Sequence, residues 1–216
     1  MSALDSRALT YLDCYGQRFD SPGTIRYAVG GPLASCLHVD DLAFTVEVEQ
    51  SKGGEPRQHD VTIQHNGRAF SASPAMLRIA TGDVVLWHAH DSSSPPYAVW
   101  GEGAGGTFSS TSLRSGALYT HAIGTAGEIE WADARRAAVR GRIRVRDLDS
   151  RDPEACERWS SLLREGAVVV INADRADPAE LDLISGQTVF FAVIGGDGIS
   201  ITDTAVLINA RPPDKW

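Results

Sequence analysis

Cysteine is scarce in this chain, with only Cys14, Cys36 and Cys156 across 216 residues. Their number is odd, their spacing wide, and no CxxC is present, so a disulfide framework or a closed cysteine-only metal site is not expected. This usage suits a reducing compartment, and a cytoplasmic location is the expectation. Long hydrophobic runs are also missing. No stretch is apolar enough to span a bilayer, and Met1–Arg7 has no core of signal-peptide length, so no membrane partner is expected. A basic excess is absent too. The net charge is -8, which argues against nucleic acid as a partner because phosphate binding needs a clustered basic surface. The arginines at 135, 136, 140, 142, 144 and 146 do cluster, but on an alternating strand they read as a solvated face. Nucleophile elbows, Walker loops and HExxH are likewise missing.

What is present is an ordinary globular composition, 43% hydrophobic and 22% charged, long enough for one large or two small domains. The organising stretch runs from Val61 to Arg146, and its spine is Ser73–Trp87. Leu77, Ile79, Val85 and Trp87 alternate as half-buried strands do, and Gly82-Asp83 marks the turn between them. Strand-like runs follow at Thr107–Ser110, Ser115–Ile123, Gly127–Trp131 and Gly141–Val145. Upstream, Thr24–Val29 and Phe44–Glu49 read as strands, and Ser51–Gln58 as a loop or linker. Leu4, Ala8, Leu12 and Tyr15 recur at helical spacing, predicting a helix over 3–15. Asp152-Pro153-Glu154 starts a second helix that Gly166 stops. Gly101–Gly106 spells GxGxxG, but no helix can start after it, so it reads as a flexible loop.

Residues 178–191 copy the block that begins at Pro74. Pro74, Ala75, Leu77, Gly82, Val85 and Trp87 correspond to Pro178, Ala179, Leu181, Gly186, Val189 and Phe191. After Phe191 only a turn and one long strand, Ile199–Ile208, remain, so this copy looks too short to close. Residues 17–57 and 166–210 are therefore expected to complete a second sandwich together.

The order of strands and turns over 58–147 resembles a cupredoxin, the β-sandwich of plastocyanin-like copper proteins. The resemblance implies an all-β fold: a cupredoxin-like Greek-key sandwich at 58–147 and a second sandwich-like β domain, with two short helices. The second domain would be built from 1–57, an N-terminal helix and strands, pairing with 148–216, a helix and half-repeat. Its blue-copper ligand positions fall on Tyr97, Asp133, Arg136 and Val139, which supply neither thiolate nor imidazole. No cofactor and no electron transfer is then expected. In this reading Tyr97, Asp133 and Arg136, beside Asp91 and the glycine loop, bind a small molecule or a protein partner, or else merely plug a vacated metal site. The alternative is a metalloenzyme of oxidoreductase type with a non-blue copper or other metal. It would use His88 and His90, side by side on one strand face, with Asp91, Asp133, His38, His59 or His65 completing the set. His121 is expected to be a packed, hydrogen-bonded core histidine, and Cys36-Leu37-His38 a structural pair.

Overall fold

The computed structural model describes residues 4–36, 41–135, 138–147, 151 and 153–209. The first half holds β1 (Asp13–Arg18), β2 (Gly23–Gly30), α1 (Pro32–Cys36), β3 (Phe44–Glu49), β4 (Gln58–His65) and β5 (Phe70–Ser73). It continues with β6 (Met76–Ala80), β7 (Val84–Ala89), β8 (Ala98–Gly103) and β9 (Gly106–Ser109). The second half holds β10 (Ala117–Ala122), β11 (Gly127–Asp133), β12 (Arg140–Arg146), α2 (Pro153–Leu162), β13 (Ala167–Asn172) and β14 (Arg175–Asp177). It ends with β15 (Glu180–Ile184), β16 (Thr188–Gly195), β17 (Ile201–Asp203) and α3 (Thr204–Asn209). Alternation drives these strands: Ile25 and Tyr27 are buried while Arg26 is exposed, and Val85 and Trp87 are buried while Val84 and Leu86 are half-buried. No helix among the described residues is long and apolar enough to cross a membrane.

The strands form a mostly β, sandwich-like protein of three sheets. One eight-stranded sheet, in the order β14-β13-β16-β10-β1-β7-β4-β5, runs through both halves. A sheet ordered β6-β3-β2-β8-β9 faces its first half, and one ordered β15-β12-β11-β17 faces its second. The orders match strand for strand, with β1–β8 answering to β10–β17. Pro178 lies 104 positions after Pro74 (178 − 74), and the same spacing relates Gly23 to Gly127, Tyr27 to Trp131 and Tyr15 to Tyr119. Gly82 and Gly186 both sit at φ 93°, a left-handed turn that only glycine adopts without strain. The core aromatics repeat as well. Tyr15 stacks on Trp87 at 5.5 Å and Tyr119 on Phe191 at 5.9 Å, while Tyr27 and Trp131 meet those partners edge-on. The chain is a duplicated sandwich.

The halves join where β1 pairs antiparallel with β10, Tyr15 opposite Tyr119 and Asp13 opposite His121. Each half also lends its leading segment to the other. Ser6 exchanges two hydrogen bonds with Ile201, through its N–H and its hydroxyl, and Ser110 does the same with Val99. Phe108, ahead of the second half, stacks on Tyr15 and Trp87 of the first. Its counterpart Leu4 is buried against the second half, accepting the Asp203 N–H at 2.7 Å. A buried polar knot closes the seam. The Asp13 carboxylate accepts from Tyr119 Oη and His121 Nδ1, both at 2.7 Å, and from Thr10. His121 is thus the packed core histidine its sequence context suggested.

Several expectations are corrected. The boundaries at 57/58 and 147/148 cut both sandwiches. Segment 58–147 holds the later strands of one and the opening strands of the other, so the second copy does have room to finish. Thr24–Val29 and Phe44–Glu49 do not pair with the C-terminal segment, because β2 pairs with β3 and β8, and β3 with β6. Residues 4–12 form turns and isolated bridges instead of a helix, since Leu4 and Leu9 point into cores while Asp5 bridges Thr202 and Leu9 bridges Tyr97. The strand expected to reach Ile208 stops at Asp203, whose carboxylate caps α3 through the Ala205 N–H at 2.8 Å. The GxGxxG run is the β8–β9 hairpin and not an open loop. Of the arginine run, Arg142, Arg144 and Arg146 form the expected solvated face, laddering to Glu128, Glu180 and Asp182, whereas Arg135 lies apart against Ser112 and Arg136 is outside the described residues. Exposed pairs of this kind contribute about 0–1 kcal/mol each.

The exchange predicts that Phe108→Ala, which empties a core site 7% exposed, costs about 3–5 kcal/mol in urea unfolding. Hydrogen exchange should rise first in β1, β2 and β7, although Phe108 sits between the halves. Loss confined to β10–β17 would contradict the exchange.

Candidate functional site

An open cleft of about 630 Å³ lies where β2, β8 and β9 meet the linker between the halves and the end of β11. Sheet register builds its floor. Ala28, Trp100 and Ser109 form one row across the outer face, and Arg26, Glu102 and Thr107 the next. Gly30 leaves room for the Trp100 ring, since a Cβ there would stand 2.9 Å from Cη2. The linker adds Thr111, Ser112 and Arg114, and the second half adds Arg135, whose guanidinium donates to Ser112 Oγ at 3.1 Å. Arg26 donates to the Leu42 carbonyl. None of Arg26, Arg114 and Arg135 forms an ion pair with a carboxylate among the described residues. Sequence reasoning missed this site because its residues are scattered, and only the β2–β8–β9 register brings them together.

The expected site residues are not assembled. Tyr97 is fully buried at the start of β8, bridged to Leu9, with the Phe70 ring at 6.2 Å. Its hydroxyl lacks a hydrogen bond of ordinary geometry, although the Ala89 backbone lies beside it, and burial pushes its pKa well up. Asp133 ends β11 in the other half, also buried. Its Oδ1 accepts from the Ser200 N–H at 3.0 Å, the Ser200 hydroxyl at 3.2 Å and the Arg135 N–H at 3.2 Å, while Oδ2 has no hydrogen-bond partner among the described residues. No hydrogen bond joins Tyr97 to Asp133, and Arg136 lies outside the described residues. Asp91 is an exposed turn residue held by the Ser93 hydroxyl and N–H, and those bonds draw its pKa down.

His88 is half-buried on the outer face of the long sheet, opposite Cys14 on one side and Thr62 on the other. Burial pushes the Cys14 thiol up, against a hydrogen bond with Thr120. His90 lies exposed past the end of β7, its N–H on the Ile63 carbonyl. His59 is engaged by Asp83 at 2.8 Å and His65 Nδ1 by the Gly67 N–H; His38 lies outside the described residues. Among the described residues no group of three or more His, Cys, Asp or Glu side chains could hold a metal ion. No family model, curated protein or solved structure matches the chain.

A second depression, by Glu49–Arg57, His59, Arg78 and Asp83, is a structural turn. Desolvation raises the Asp83 carboxyl, but N–H donation from Ala80 and Arg57 and the His59 ring hold it below its ordinary value. In the second half Gln187 takes this place and accepts the Ile184 N–H as Asp83 accepts that of Ala80. A carboxyl depressed by folding stabilises fully above its unfolded pKa, about 3.9, and loses that contribution as pH falls through the folded value. Asp83→Asn should therefore destabilise at neutral pH and much less below pH ~3. An equal penalty at both pH values, read from urea midpoints, would contradict this.

Proposed function

We propose that the chain is a binding protein that holds a small anionic ligand in the Trp100 cleft and works without a metal. In this reading the sandwiches are cupredoxin-type units that have lost the copper ligands, and the binding end has moved from Tyr97 and Asp133 to the arginines beside them. The duplication carries the argument. In the second half the residue matching Arg26 is Glu130, which pairs with Arg142, and the residue matching Trp100 is Thr202. The same scaffold therefore folds without a cation or a ring at these places.

Three guanidiniums that form no ion pair with a carboxylate among the described residues, on a chain of net charge -8, give a local positive field suited to a phosphate or carboxylate. Trp100 offers an apolar ring surface, and the hydroxyls of Thr107, Ser109, Thr111 and Ser112 offer donors and acceptors. A polar ring bearing an anionic group, such as a sugar phosphate, fits that lining.

Titrating phosphorylated and carboxylated sugars against intrinsic fluorescence tests the reading. A bound ligand should perturb Trp100, and Trp100→Phe should remove the signal. Arg135→Ala should weaken binding about 10–100-fold, as loss of a charged hydrogen bond of roughly 1.5–3 kcal/mol implies, while Arg142→Ala on the outer ladder leaves it unchanged. Equal loss in both arginine variants, or no binding by any anion of the panel, refutes it.

Copper serves as the control. Cu(II) should raise no intense blue thiolate band, and a band abolished by Cys14→Ser would overturn the metal-free part.

A further inference from the structure

One acid on the floor of the Trp100 cleft has no counterpart in the second half. Glu102 lies directly opposite Arg26 in the β2–β8 register. Acid and arginine set opposite each other in this way close elsewhere on the sheets, as Glu47 does with Arg78 and Glu130 with Arg142. Glu102 and Arg26 do not. The Arg26 guanidinium turns to the Leu42 carbonyl at 3.2 Å, and the Glu102 carboxylate has neither ion pair nor hydrogen bond among the described residues. By the same register Glu102 answers to Thr204, where the second half turns into α3, so the scaffold requires no acid here. The hairpin tip beyond it, Ala104-Gly105-Gly106, has no long side chain to cover it.

Strand direction gives the cleft two ends. Glu102 and Thr107 form one row, and Trp100 and Ser109 the next, about 7 Å further along. Past Ser109 the chain turns, with the Ser112 N–H on the Ser109 carbonyl at 3.2 Å, and brings in Ser112 with Arg135. Trp100 therefore stands between an acid end and a cation end. We infer that Glu102 is the specificity-determining residue of this cleft, selecting a ligand whose ring carries hydroxyl groups away from its anionic group. This role rests on anion binding at the Trp100 cleft. A carboxylate accepts and cannot donate, so a hydroxyl or an amine must satisfy it. Arg26 across the strand already offsets its charge, which favours a neutral hydroxyl over an ammonium. An apolar ring edge would displace its water and return no hydrogen bond. A sugar phosphate lying on Trp100 meets both ends, its phosphate towards Arg135 and its hydroxyls towards Glu102.

The test is calorimetric titration of the full chain with glucose 6-phosphate and with cyclohexylmethyl phosphate, which keeps the ring size and the phosphate but has no hydroxyl. The wild type should bind glucose 6-phosphate about tenfold or more tightly than the other. Glu102→Ala should abolish that preference by weakening glucose 6-phosphate about tenfold, while cyclohexylmethyl phosphate binds as before and so reports an intact cleft. Equal affinity of the wild type for the two phosphates, or a Glu102→Ala change of both by one factor in either direction, overturns the role of Glu102 and leaves anion binding standing. Failure of both to bind the wild type overturns the role as well, and failure of every anion overturns the cleft reading with it.

Discussion

The pairing of β1 with β10 is the contact on which the rest of the molecule depends. It turns two four-stranded layers into one eight-stranded sheet and sets Tyr15 against Tyr119 on a local two-fold axis. Around that axis the halves exchange parts: Phe108 fills the first core, and Leu4 is buried against the second. Such exchange leaves each half alone without the side chain that fills its core and without the hydrogen bonds that Ser110 makes to Val99 or Ser6 to Ile201. The buried knot of Asp13, His121, Tyr119 and Thr10 locks the arrangement, since leaving a buried hydrogen-bonding group without its partner costs about 1–3 kcal/mol.

The repeat was legible where local geometry admits few residues. The proline, the left-handed glycine and the alternating apolar positions of the Pro74 block recur at Pro178 because one turn between two strands requires them. Where the copies begin was not legible. β1–β3 and β10–β12 carry the same alternation, so grouping β10–β12 with the strands before them satisfies the pattern as well as the true grouping does. The N-terminal spacing of Leu4, Ala8, Leu12 and Tyr15 mimicked a helix for a related reason: Leu4 and Tyr15 answer to two different cores. Tyr97 and Asp133 look adjacent by resemblance, yet the exchange assigns them to opposite halves. Arg26, Arg114 and Arg135 are far apart in sequence, and nothing local in any of the three predicts the cleft.

A duplicated fold distinguishes what the scaffold requires from what has been added to it. Features present in both halves, such as the stacked aromatic pairs and the bond from Asp83 or Gln187 to its turn, maintain the sandwich. Features of one half alone lie at the surface: Arg26 and Trp100 in the first, exposed Val168 and Ile194 and α2 in the second.

Cooperativity measures the interlock most directly. Trp87 lies in the first core and Trp131 in the second. Variants retaining only one of them, with the other tryptophans changed to phenylalanine, report each half separately during urea unfolding. Halves that complete each other's cores should unfold in coincident transitions with the same midpoint. Two separated transitions, one half unfolding while the other stays native, would contradict the account.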